Sequence, residues 1–213
     1  FLNAPTIGYT LSELVSSGTV TFMWVSGATD SSHTYPLTAP DMTAGSHSVN
    51  TVLPLVNGAV YNIMFSATDP AGNIGNATVT NVTYDTTPAV VTLSSPVTGF
   101  TNTTTVTYSL SENLLSGSVV YTRVSGTIDS GSPHTYSLTG MDLTSGPHSV
   151  ITRLPPVAGA VYDVSMQNLY DLASNPTGTV TNVNVVFDTT AVAITAVTPT
   201  AGSHISTSLV SFT

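Results

Sequence analysis

The chain contains no cysteine. No disulfide can staple it, and neither thiolate chemistry nor a cysteine-ligated metal is available to it. Lysine is missing as well. Among 213 residues only Arg123 and Arg153 are basic, against eleven acids, for a formal net charge of −9. Binding to nucleic-acid phosphates requires a basic face, so the sequence argues against a nucleic-acid partner. Docking on anionic membrane surfaces is disfavoured for the same reason. Charged residues make up only 6% of the chain, a share that raises the question of a membrane protein. Yet no run of about 18 apolar residues occurs, so no helix is expected to cross a bilayer and no membrane insertion is expected. The sequence opens on Phe1 with no signal peptide before it. The expectation is a processed product or a window of something longer.

What is present is repetition. Tyr9-Thr10-Leu11-Ser12-Glu13 returns as Tyr108-Ser109-Leu110-Ser111-Glu112, and His33-Thr34-Tyr35 returns as His134-Thr135-Tyr136. Asn57-Gly58-Ala59-Val60-Tyr61 returns as Ala158-Gly159-Ala160-Val161-Tyr162, and Asp85-Thr86-Thr87 as Asp188-Thr189-Thr190. Val210-Ser211-Phe212 lines up with Val106-Thr107-Tyr108. A period of about 100 residues is too long for a solenoid and fits one small domain per repeat. The expected organisation is a first repeat over 1–87 that lacks its opening strand, a complete second repeat over 88–190, and the opening strands of a third over 191–213. Both ends of the chain are expected to fall inside a repeat.

Apolar residues alternate, and helical periodicity is nearly absent. In the second copy the pattern predicts strands over 89–93, 103–110, 118–124 (after a turn at Gly117), 134–138, 149–154, 161–168 and 179–187. Abundant threonine, valine and serine suit strands whose outer faces carry neutral hydroxyls. Seven short strands separated by Gly, Pro, Asn and Ser turns describe an all-β chain of tandem immunoglobulin-like β-sandwich domains in an elongated array. Tyr61 and Tyr162, each in an Ala-x-Tyr-x-aliphatic setting, resemble the tyrosine corner that opens the sixth strand of such domains; its hydroxyl is expected to bond back to the backbone. Trp24 aligns with Arg123, which places it at a strand end rather than in the core.

The Leu-Ser-Glu segment after the second strand, the Asp69-Pro70-Ala71-Gly72-Asn73 turn and the Asp85-Thr86-Thr87-Pro88 junction together resemble bacterial immunoglobulin-like (Big-type) tandem repeats of large surface and adhesin-like proteins. The second copy departs from the pattern at Asp171-Leu172-Ala173-Ser174-Asn175 and has Ala191 in place of Pro88. The resemblance implies an extracellular or cell-surface setting.

The acids carry the candidate site. In this topology the linker acid Asp85 approaches the pole of the second repeat that holds Glu112, Asp171 and Asn175. Carboxylates, an amide and backbone carbonyls suit Ca²⁺, which takes six to eight oxygens. Glu13, Asp69 and Asn73 are the equivalent set of the first repeat. The competing expectation is that these Asp side chains only cap turns. The recurring histidines, His33 and His134, His47 and His148, lack a clustered carboxylate in sequence and are expected to be surface or edge-strand residues rather than zinc ligands. Asn76, Asn81 and Asn102 begin N-x-Ser/Thr sequons and are candidate glycosylation sites. No nucleophile elbow and no phosphate loop occurs, so no enzyme is expected.

These readings point to a structural spacer of an extracellular fibre, sheath or large surface protein, whose partners are copies of itself. Polymerisation could be head-to-tail, through donation of a spare first strand from 190–200, or through covalent continuity. The alternative is an adhesin module that binds surface glycans, with Trp24 as a candidate contact.

Overall fold

The computed structural model describes residues 1–194 and, beyond them, 197–198, 202, 204 and 211–212. The chain is all-β, and its antiparallel sheets do not close into barrels. No helix among the described residues is long and apolar enough to cross a membrane.

In the first repeat, β1 (Thr6–Leu11) pairs with β4 (Gly45–Asn50) in a two-stranded sheet. The facing sheet has the order β3 (His33–Pro36), β2 (Ser17–Gly27), β5 (Ala59–Thr68), β6 (Ile74–Thr83). In the second repeat, β12 (Gly146–Ile151), β9 (Thr105–Leu110) and β7 (Val91–Ser95) form one sheet. The other runs β11 (His134–Ser137), β10 (Leu114–Gly126), β13 (Ala160–Asp171), β15 (Val180–Phe187), β8 (Gly99–Thr101), and β14 (Pro176–Thr177) also pairs with β13. The last described pairing joins β16 (Val197–Thr198) to β17 (Ser211–Phe212). Residues 195, 196, 199 and 200 of the expected spare strand lie outside the described residues.

The strands follow from alternation. In β9 the pattern Val106, Tyr108, Leu110 points inward and Thr105, Thr107, Ser109 outward. β5, β9, β10, β13 and β15 carry apolar residues on the face that meets the opposite sheet, giving a β-sandwich-like arrangement, whereas β6 is exposed along most of its length. Two cores result, one built from residues 89–187 and one from residues 2–84.

The cores are unequal. Eighteen residues are buried in the core of the second repeat and six in that of the first. The difference traces to β7. Its Ala89 approach, Val91 and Leu93 fill the space between β9 and β15 and are buried; full burial of a Val or Leu side chain is worth about 1.5–3 kcal/mol. No described strand holds that place in the first repeat. Ile7, Tyr9 and Val82 there are only half-buried, whereas their counterparts Val106, Tyr108 and Val185 are buried.

Two sequence expectations need correction. Gly117 does not turn the chain; it lies inside β10, which begins at Leu114. A Cβ at Gly117 would come within 2.9 Å of Leu169 Cδ2 and 3.0 Å of Leu138 Cδ1, so glycine is there for close packing. The strand predicted over 149–154 is displaced to Gly146–Ile151. It stops because Arg153 takes a left-handed φ of 54° and two prolines follow.

Candidate functional site

The junction between the repeats gathers the linker and two loops. β6 delivers Asp85, the β9–β10 turn presents Glu112, and the β13–β14 turn presents Asp171 and Asn175. One carboxylate oxygen from each of Asp85, Glu112 and Asp171 lies within 4.8 Å of the others. Asp171 is fully buried. Its Oδ1 accepts the Ala173 and Asn175 backbone N–H groups, both at 2.8 Å, and its Oδ2 accepts Asn175 Nδ2 at 2.8 Å. Asn175 Nδ2 also donates to the Asp85 carbonyl at 2.9 Å, which ties the linker to the second repeat. Asp85 Oδ1 accepts the Thr87 N–H at 3.0 Å. Asp188 repeats that turn, accepting the Thr190 N–H at 2.8 Å.

The geometry therefore carries both expectations at once: the Asp side chains cap turns, and the three acids converge. Burial pushes the Glu112 carboxyl above its ordinary value, and the charges of Asp85 and Asp171 push it the same way. A cation would relieve that crowding. The set supplies hard carboxylate oxygens, although Asp171 has already committed most of its lone pairs to N–H donors. A Ca²⁺ held here would draw on Glu112, the free oxygen of Asp85 and one lone pair of Asp171, with water completing six to eight ligands.

The equivalent set of the first repeat is looser. Glu13, Asp69 and Asn73 line one end of a cavity of about 380 Å³. Asp69 accepts the Asn73 backbone N–H at 2.9 Å and Asn73 Nδ2 at 2.7 Å. These bonds, the side-chain one foremost, hold its carboxyl below the usual range. Among the described residues no third acid joins Glu13 and Asp69.

Tyr61 and Tyr162 are buried, and each hydroxyl bonds to backbone five residues upstream. Tyr61 accepts the Val56 N–H at 3.1 Å and Tyr162 the Val157 N–H at 2.8 Å. Each hydroxyl also donates to a carboxylate that the sequence reading missed. Tyr61 donates to Asp30 Oδ2, and Tyr162 to Asp129 Oδ2 at 2.6 Å. The same Asp oxygen meets a histidine, His33 Nε2 at 2.9 Å and His134 Nε2 at 2.6 Å. This corrects the expectation for the histidines. His33 and His134 do sit on edge strands β3 and β11, but each has a carboxylate partner, with the Asp129 and His134 side chains only 4% and 9% exposed. The signal was present: an Asp precedes His-Thr-Tyr in both copies. It was hidden because the spacing changes from three residues to five. His47 and His148 stack on Tyr9 and Tyr108 and bond to the carbonyls of Thr43 and Thr144.

Trp24 is 38% exposed at the end of β2, as its alignment with Arg123 implied. The sequon residues Asn76, Asn81 and Asn102 are all exposed, Asn76 on the rim of the first-repeat cavity. No protein-family model matches the chain, and no curated protein matches it.

Proposed function

We propose that this chain is a non-catalytic structural segment of a large extracellular or cell-surface assembly, a fibre or sheath, in which immunoglobulin-like β-sandwich units act as spacers. The observation that carries the reading is the tied junction, where Asn175 Nδ2 reaches back 90 positions to the Asp85 carbonyl. A spacer needs its linker held against the next unit, and a short linker bonded to buried Asn175, itself fixed by buried Asp171, meets that need. The nearly charge-free, hydroxyl-rich surface supports the same reading, since packing copies side by side desolvates few charges. Small-angle scattering of the chain tests it. An extended particle of constant length is expected, and a broad distribution of lengths counts against a spacer.

The convergence of Asp85, Glu112 and Asp171 favours a second element of this reading, a junction stiffened by Ca²⁺. Thermal melts with Ca²⁺ and with chelator test it. A raised midpoint in Ca²⁺ that disappears in Glu112→Gln is expected; identical midpoints reject the cation and leave the spacer standing.

A further inference from the structure

The linker between the repeats is held from both sides, and the bonds alternate along it. From the first repeat, the Gly58 N–H donates to the Tyr84 carbonyl at 2.8 Å. Asn57 Oδ1 accepts the Thr86 N–H at 2.6 Å and the Thr86 hydroxyl at 3.1 Å, and Asn57 Nδ2 donates to Thr87 Oγ1 at 2.9 Å. The Thr86 N–H can only donate, which fixes the oxygen end of that amide. From the second repeat, Asn175 Nδ2 donates to the Asp85 carbonyl and the Thr177 hydroxyl to the Ala89 carbonyl, both at 2.9 Å. Along the chain, the first repeat holds position 84, the second 85, the first 86 and 87, and the second 89.

A hinge needs a backbone torsion that no bond bridges. Here the bonds of Asn57 and Asn175 cross. The torsions between the Tyr84 and Asp85 carbonyls lie in a ring closed by Gly58 and Asn57. Those from Asp85 to Ala89 lie in a ring closed by Asn175 and Thr177. Each bond is modest alone, but the linker cannot swing about Asp85 unless the Asn57 bonds break.

No local need places an amide at position 57. Asn57 stands in the turn before β5, where the Ala59 N–H donates to the Val56 carbonyl at 3.1 Å. The second repeat builds the same turn around Ala158, with the Ala160 N–H on the Val157 carbonyl at 3.1 Å and the Gly159 N–H on the Phe187 carbonyl at 2.7 Å. Gly58 and Gly159 take φ of 79° and 78°. Alanine therefore suffices for the turn, and the Asn57 side chain spends its bonds on the linker.

Asp188-Thr189-Thr190-Ala191 repeats the linker sequence after the second repeat. It keeps the Asp turn, with the Thr190 N–H on Asp188 Oδ1 at 2.8 Å. Ala158 offers Thr189 and Thr190 no amide, and Ala191 replaces Pro88, whose ring fixes φ.

We infer that Asn57 is a latch which, with Asn175, makes the 85–89 linker a fixed joint, and that Ala158 leaves the 188–191 segment unlatched. The latch rests on the spacer reading, in which the orientation of successive repeats matters. It acts by positioning the linker, and Asn57 is exposed, outside both cores.

The test uses the full chain with spin labels on Ala77→Cys in β6 and Thr122→Cys in β10, both exposed sites in a chain otherwise free of cysteine. A narrow distribution of label distances is expected in the parent and a broadened one in Asn57→Ala. The melting midpoints of the sandwiches are expected to stay at the parent's values, as the alanine turn of the second repeat implies. The Thr86 amide is expected to exchange faster in Asn57→Ala, and the Thr189 amide more slowly in Ala158→Asn. An unchanged distance distribution in Asn57→Ala overturns the latch and leaves the spacer standing. So does a Thr86 or Thr189 amide that does not respond. A broad distribution in the parent overturns the latch and the spacer together, and is recognised because it needs no substitution.

Discussion

Trp24 and Arg123 stand at the same place in successive repeats and make the same bond with unlike side chains. Trp24 Nε1 donates to the Ala28 carbonyl at 2.9 Å, and Arg123 Nε donates to the corresponding Thr127 carbonyl at 2.7 Å. Each closes the bulged end of a long strand, where Gly27 and Gly126 turn with positive φ against the opposing Gly58 and Gly159 carbonyls. What recurs is an N–H donor at the tip of a large side chain. Trp24→Phe keeps an aromatic ring, though a smaller one, and removes the donor, and is expected to cost about 1 kcal/mol. Trp24→Arg is expected to recover most of it. Urea midpoints of the two variants check this; equal losses would show that the indole acts only through its area.

The paired Asp30 and Asp129 predict acid sensitivity. The Tyr61 hydroxyl, chiefly, holds the Asp30 carboxyl down to about 2, and Tyr162 likewise holds Asp129 below the usual carboxylate range. A carboxyl with a lowered folded-state pKa adds stability that is complete above the unfolded value of about 4 and is lost as pH falls toward the folded value. The melting temperature is therefore expected to fall steeply between about pH 4 and pH 2. Asp30→Asn with Asp129→Asn is expected to lower the neutral-pH midpoint and flatten that acid limb. An acid limb as steep as the parent's would place the acid sensitivity elsewhere.

Tyr121 carries a buried hydroxyl with no well-formed hydrogen bond among the described residues. Burial pushes the Tyr121 phenol up to about 12. Its counterpart in the first repeat is Phe22, fully buried and set edge-on to Tyr61 as Tyr121 is to Tyr162. Tyr121→Phe is expected to stabilise the second repeat by about 1 kcal/mol, since it removes a desolvated polar group and keeps the ring. A loss of stability in denaturant titration would mean that the hydroxyl is hydrated.

Val52 has a φ of 50° and is 80% exposed. A β-branched residue in the left-handed region is strained, by about 1–2 kcal/mol, while asparagine enters that region readily. Val52→Asn is expected to raise stability by about 1 kcal/mol, read as a higher urea midpoint with an unchanged slope. A lower midpoint would show that the exposed valine contributes packing that outweighs its backbone.

Much of the fold was legible because alternation is local. Val106, Tyr108 and Leu110 announce their strand without reference to any other part of the chain, and β9 and β15 lie within two residues of their predicted spans. The acid cluster was legible for a related reason: once strands alternate direction in a sandwich, the ends that hold Asp85, Glu112 and Asp171 share a pole. Gly117 misled because a glycine packed under Leu169 and a glycine that turns the chain look the same in one dimension.

By itself the sequence determined that the chain is built of β-strands, that it repeats, and which residues face inward, since side-chain period and register are properties of neighbouring positions. Only the tertiary structure decided that Asp30 and Asp129 each bind a tyrosine and a histidine, that Trp24 and Arg123 do one job, and that the first repeat holds an open cavity. The Asp–Tyr bonds and the cavity depend on contacts between residues tens of positions apart, and the short-range bonds of Trp24, Arg123 and the histidines depend on how the strand ends that carry them are bent by those contacts. Such contacts are set by the way two sheets pack, which no local pattern encodes.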